Sequence, residues 1–233
     1  MEDSQLSSRI IFLKMNVEDV EKIFEEYREY LKSEVVRLVS YIKLYRRINE
    51  RMEDRLDEIN IAPSFFQVTL DALFSAIILW VDKLLGTRSE RGFIHFLSFI
   101  ENNRRIFEIS ELKRRRGYPD GHWMLSREPI TYQAIEKHRK QIAKLECLPH
   151  FKLRRDKFHA HFDKEYFFNR GKLADDAPLK WSDLEAVIEV MGDILNHYSA
   201  AYDGNVYHLE PFNIYDIDHL LDTLNKCKKE QKR

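Results

Sequence analysis

From Val17 to Ile59 the chain runs without a single glycine or proline, and its apolar residues keep one rhythm. Phe24, Tyr27, Leu31, Val35, Leu38, Ile42, Tyr45, Ile48, Met52, Leu56 and Ile59 recur at spacings of three and four. That period puts them on one stripe of a long helix, or of two helices in line, with Glu, Arg and Lys opposite. Such a stripe must be covered by other helices or by a second chain. Its length leads us to expect that part of it lies in a chain–chain interface.

The remaining sequence favours more helices. Only 7 glycines and 6 prolines punctuate 233 residues, a third of which are charged while 44% are apolar. A sheet protein would need more turn residues. Asn60-Ile61-Ala62-Pro63 breaks the first pattern, and Pro63 suits the first turn of a new helix. Residues 64–85 are apolar nearly all round and Gly86 ends them, so this helix is expected to be central and the most buried. A shorter amphipathic helix follows over Gly92–Asn103. The run 113–123, KRRRGYPDGHW, reads as a loop. Thr131–Cys147 reads as a charged helix, and Pro149 opens another to about Phe162. Tyr166–Pro178 reads as a loop, Trp181–Tyr202 as a helix capped by Ser182, and Tyr215–Lys229 as the last helix. Asp203-Gly204-Asn205 with Val206 and Tyr207 gives a weak hairpin signal. The expected architecture is an all-α bundle: an arm over 1–16, the bundle over 17–205, and a C-terminal helix in 206–233 packed on the same domain.

The formal charge of −1 supplies no global basic field to recruit nucleic acid. The two cysteines, Cys147 and Cys227, have no metal-ligand or disulfide spacing. The N-terminus lacks a signal-peptide pattern, and the longest apolar run, Ala72–Val81, is short for a bilayer. A cytoplasmic protein with no membrane partner is the expectation.

Histidine chemistry concentrates in Leu153–Lys164, LRRDKFHAHFDK. On a helix, Arg155 and His159 stand one turn apart on one face, and Arg154 and His161 two turns apart on a neighbouring one. The C-terminal end of the helix dipole and nearby Asp163 would favour an imidazolium at His161. Histidine titrates near neutrality, and an arginine fork matches phosphate oxygens. Together they form a minimal kit for a phosphodiester. The plainer reading is a stabilising basic helix end, and on spacing alone it is the stronger one.

The string Arg155-Asp156-Lys157-Phe158-His159-Ala160-His161 resembles the signature of the HEPN superfamily: an arginine, a polar residue and, a few positions on, a histidine. Five residues separate Arg155 from His161. The ending Ala160-His161-Phe162-Asp163 resembles the AbiU-like abortive-infection branch. So does the order of elements: an apolar helix ending in Trp80-Val81-Asp82-Lys83, a loop, a short helix, then the histidine helix. The similarity spans roughly residues 15–205. One departure is Leu79-Trp80, where many relatives carry an arginine before the acid, and this puts the role of Asp82 in doubt.

The resemblance implies an α-helical bundle that forms a homodimer, with Arg-His motifs from two chains meeting in a cleft. It implies a metal-independent ribonuclease of a defence or toxin system, or a silent module that binds nucleotide, RNA or a partner protein. An antitoxin or a nucleotidyltransferase is a possible partner on this analogy. His161 would be the general acid or base, Arg155 the phosphate clamp, and Asp156 would orient one of them. Arg154, His159, Asp82 and Asp163 would support the site. The RNA 2′-hydroxyl would attack its own phosphate, so no metal or cofactor is expected. His159 competes with His161, because on an ideal helix His161 lies about 120° from Arg155.

Other residues carry weaker signals. Arg114, Arg115 and Arg116, with Lys113 before them and Tyr118, His122 and Trp123 after, could hold an RNA backbone and stack a base. No acidic run adjoins them, yet a solvated loop is the plainer reading. Asp175-Asp176 lacks companion ligands for a metal. Cys147 reads as a structural thiol, and Tyr198, Tyr202 and Tyr207 as core or interface residues.

Overall fold

The computed structural model describes residues 16–159 and 163–231. Helix α1 spans Val17–Asp54, and the Asn16 carboxamide accepts the Asp19 N–H at 2.8 Å at its start. Arg55, at φ −128° and ψ 33°, leaves helical geometry and separates it from the short α2, Leu56–Ile59. Helices α3 (Pro63–Leu85), α4 (Phe93–Asn102) and α5 (Ile109–Arg116) follow. After them come α6 (Tyr132–Ala143) and α7 (Leu148–Arg154), the latter with proline in its first turn. Helix α7 continues as a π-turn over Arg155–His159. Helices α8 (Lys164–Phe168), α9 (Arg170–Asp176), α10 (Trp181–Asp203) and α11 (Asp216–Gln231) complete the all-α helical bundle.

The packing divides into two units. The first holds residues to 33, 84–145 and 189–208. Its centre is aromatic: the Phe24 ring lies 5.8 Å from Phe96, 5.2 Å from Phe107 and 4.7 Å from Tyr202. Edge-on and tilted rings at such distances suit the quadrupoles of the faces and edges. Tyr198 and Tyr202 are fully buried, as core residues. The second unit holds 34–83, 146–188 and 209–233. There Ile48, Ile59, Phe66, Leu70, Ile217 and Leu221 form one apolar cluster. Arg47 and Arg51 of α1 both donate to Asp218 of α11, at 2.7 and 2.6 Å. A smaller cluster joins Tyr166, Leu173 and Ala177 to Leu153 and Phe158.

Several expectations change. The α1 stripe is already covered within the chain, since Phe24, Leu31, Val35, Leu38, Ile42 and Ile48 are all buried. Helix α3 is not the most buried element. Phe65, Val68, Ala72 and Leu79 are exposed along one side of it. At 23 residues α3 has the length and apolar content of a membrane span. Its other side, however, packs Phe66, Leu70, Ile77 and Ile78 into the protein.

The basic run is not a loop but the last turn of α5, where cations oppose the C-terminal dipole. Gly117, at φ 61°, then stops the helix in a left-handed conformation that a glycine adopts without strain. Ser182 is not the cap of α10. Asp183 accepts the Lys180 N–H at 2.7 Å instead, the returning half of a capping box. Residues 166–178, expected to be a loop with at most short structure, hold the end of the short helix α8 and the short helix α9. No hairpin forms at 203–207, and no strand occurs among the described residues.

Candidate functional site

The motif segment runs antiparallel to α3 in the second unit. Arg155 ion-pairs with Asp82, and His159 Nδ1 lies 3.0 Å from the Ser75 hydroxyl. Ser75 and Asp82 are seven residues apart, nearly two full turns of α3, and so face the same way about 10 Å apart. The segment that meets them, Arg155–His159, is a π-turn.

Arg155 is held from two sides. One Nη meets Asp82, while Nε donates to Asp156 at 2.7 Å and the other Nη meets the same carboxylate. The guanidinium is 16% exposed, Asp82 21% and Asp156 41%. The hydrogen bond from Asp82, with a smaller contribution from Asp156, raises the Arg155 pKa against the opposing effect of burial. With both carboxylates ionised the trio carries −1, so a phosphate gains only if one carboxylate lets go. Asp156, the more exposed, gives way more readily.

His159 is a different kind of group. Its ring sits against Phe74 and Phe158 at 5.7 and 5.3 Å, and Nε2 is buried without a partner. Burial, reinforced by the Arg154 charge, lowers its pKa to about 4, so the imidazole is neutral at pH 7. It engages Ser75, not Arg155. Arg154 is committed as well: Nε donates to the Ala177 carbonyl at 2.7 Å and the guanidinium lies 5.5 Å from the Phe74 ring. Asp163 caps α8 by accepting the Glu165 N–H at 3.0 Å and pairs with Lys157 at 2.8 Å, which depresses its pKa. His161, with Ala160 and Phe162, lies outside the described residues.

An intact arginine–acid–histidine string, its arginine locked to an acid at the end of an apolar helix, joins the features of the HEPN resemblance in one place. The profile of the AbiU2 family matches residues 21–223. The chain belongs to the HEPN AbiU2 family. No curated protein and no solved structure matches it.

The other candidates of this AbiU2 chain are occupied in ways its local sequence hides. Glu21, more than ninety residues away in sequence, accepts from Arg114 at 2.6 Å and from Arg115 at 2.6 Å. Arg115 also donates to the carbonyls of Ile106 and Tyr202, and Arg116 to that of Asp203 at 3.0 Å. Glu21 of α1 thus joins two nearby acids in neutralising the run: Glu111, which accepts from Arg114 at 2.7 Å, and Asp120, which pairs with Lys113. Asp176 accepts the Tyr166 hydroxyl at 2.9 Å, and no metal-binding cluster occurs among the described residues. Cys147 is buried and its thiol pKa is pushed up to about 11, so it is no thiolate nucleophile at neutral pH. Ser75 was missed in sequence. Its signal was a hydroxyl inside the apolar run of α3, two turns before the acid.

Proposed function

We propose that this AbiU2 chain is a metal-independent endoribonuclease of a defence or toxin system, working as a homodimer. The observation that carries the reading is the Arg155–Asp82–Asp156 network. It holds a guanidinium partly exposed at the start of the segment leading to His161. Arg155 binds the scissile phosphate. A base takes the proton from the RNA 2′-hydroxyl, whose oxygen bonds to phosphorus. The bond from phosphorus to the 5′-oxygen breaks, and an acid returns a proton to that oxygen. His161 fills one of these roles, and His161 of a second copy can fill the other. The product is a 2′,3′-cyclic phosphate. The nucleophile belongs to the substrate, so the scheme needs no metal to make one.

Dimer formation is supported by α3. Phe65, Val68, Ala72 and Leu79 follow one another at helical spacings on the exposed side. They lie about 60° around the helix from Ser75 and Asp82. A second copy covering that side would bring its motif next to this one.

A second reading rests on the charge of the trio. With both carboxylates ionised, the trio suits a silent module holding a protein partner better than it suits an RNA clamp. Incubation of RNA with the protein and with His161→Ala, in EDTA, separates the two. Cleavage by the wild type alone supports the enzyme; no cleavage by either supports the module.

A further inference from the structure

The loop after α5 carries a stack of three rings that none of the chemistry above uses. The Tyr118 and His122 rings lie 4.0 Å apart and 4° from parallel, and Trp123 continues the stack at 5.8 Å and 29°. The stack is anchored at its inner end. The Tyr118 hydroxyl sits close over Gly204, whose missing side chain, at φ +83°, leaves room for it and for Met124. His122 is fixed by accepting the Met124 N–H on Nδ1 at 3.2 Å, and Met124 itself is buried. Its outer end is open: Trp123 is 75% exposed.

What singles out Trp123 is that its exposed face ends an ordered stack of rings. The surroundings decide what that face suits. Pro119, Asp120, Gly121, Ser126 and Glu128 are the exposed neighbours in sequence, and no second large apolar residue of this loop is exposed. A protein-docking patch would be broad and apolar. A single flat face ending an ordered stack matches the face of an unpaired base, which would continue the stack as its fourth ring.

We infer that Tyr118, His122 and Trp123 form a stacking platform for an unpaired base of single-stranded nucleic acid. The preference for a nucleic acid over other flat ligands rests on the ribonuclease reading; the ring geometry does not. Arg114 and Arg116 beside the platform already hold Glu21 and Asp203. Stacking on the ring face makes the binding tolerant of base sequence.

The test is the anisotropy of a dye-labelled oligodeoxythymidine of about a dozen residues, titrated with full-length protein. This strand has no 2′-hydroxyl, so it reads binding whether or not the protein cleaves RNA. The wild type should bind it. Trp123→Ala should weaken binding by about tenfold, and Trp123→Phe by much less. The same strand in a duplex should bind poorly, because its base faces are hidden. Absence of binding by the wild type, equal affinity of Trp123→Ala, or equal affinity for the duplex would each overturn the platform. A failed RNA cleavage assay alongside intact Trp123-dependent binding would remove the ribonuclease and leave the platform standing.

Discussion

Two histidines in this chain are built to stay neutral, and this gives its stability a direction with pH. His138 is buried, its Nδ1 2.8 Å from the Tyr198 hydroxyl and its ring 4.8 Å from His197. Burial lowers its pKa to about 4, with His197 and Lys137 adding to the effect, and His159 is lowered to a similar value. In the unfolded chain both titrate near 6.5. Between those values the unfolded state binds protons that the native state refuses, so stability falls as pH drops from about 6.5 to about 4. Melting temperatures across that interval should show the fall, and His138→Gln should flatten it. A melting temperature unchanged from pH 7 to pH 4.5 would contradict this. At Arg155 the expectation concerns shape. Arg155→Lys keeps the charge but loses the planar fork between Asp82 and Asp156, so RNA cleavage should drop at least tenfold. Asp82→Asn should cost only about 1 kcal/mol in denaturant unfolding, because the pair is partly solvated.

At the scale of elements, the loss of Glu21 should be felt far more than its surface position on α1 would imply. It neutralises Arg114 and Arg115, and both it and Arg115 are nearly buried. Glu21→Ala leaves a guanidinium without its counter-charge, at a cost of about 3 kcal/mol in denaturant unfolding. A loss under 1 kcal/mol would show that the Ile106 and Tyr202 carbonyls suffice. The same pair explains what the sequence hid. Arginine is a good helix former and Gly117 a stop signal, so helix α5 was legible, but KRRR beside Gly-Tyr-Pro drew the eye to a loop. The part of Glu21 in neutralising the run was not legible, since pairing across ninety residues leaves no local mark. Helix α3 teaches the converse. Its apolar composition shows that it can be buried on any side, not which side is left over. The α1 stripe is largely buried from Phe24 to Ile48, because its period fixes a face, whereas Leu56, beyond the end of the helix, is exposed; the cover comes from within the chain. In the motif, the string from Arg155 to His161 was plain, whereas the π-turn over Arg155–His159 has no spacing signature.

For the molecule as a whole, two properties follow from what is left uncovered. The exposed side of α3 should hold two copies together. Val68→Lys, a charge placed at a 66% exposed position, should shift a dimer towards monomer in sedimentation without lowering the melting temperature of the fold. A monomeric wild type at micromolar concentration would contradict the dimer. The central claim is that the substrate's own 2′-hydroxyl is the nucleophile, with Arg155 and His161 supplying binding and proton transfer. The most direct measurement compares one RNA with the same RNA methylated on its 2′-oxygens, each incubated with the protein in EDTA, with the end groups identified by mass. The account predicts cleavage of the unmodified strand to 2′,3′-cyclic phosphate ends and survival of the methylated one. Cleavage of both, or product ends carrying a 5′-phosphate, would contradict it.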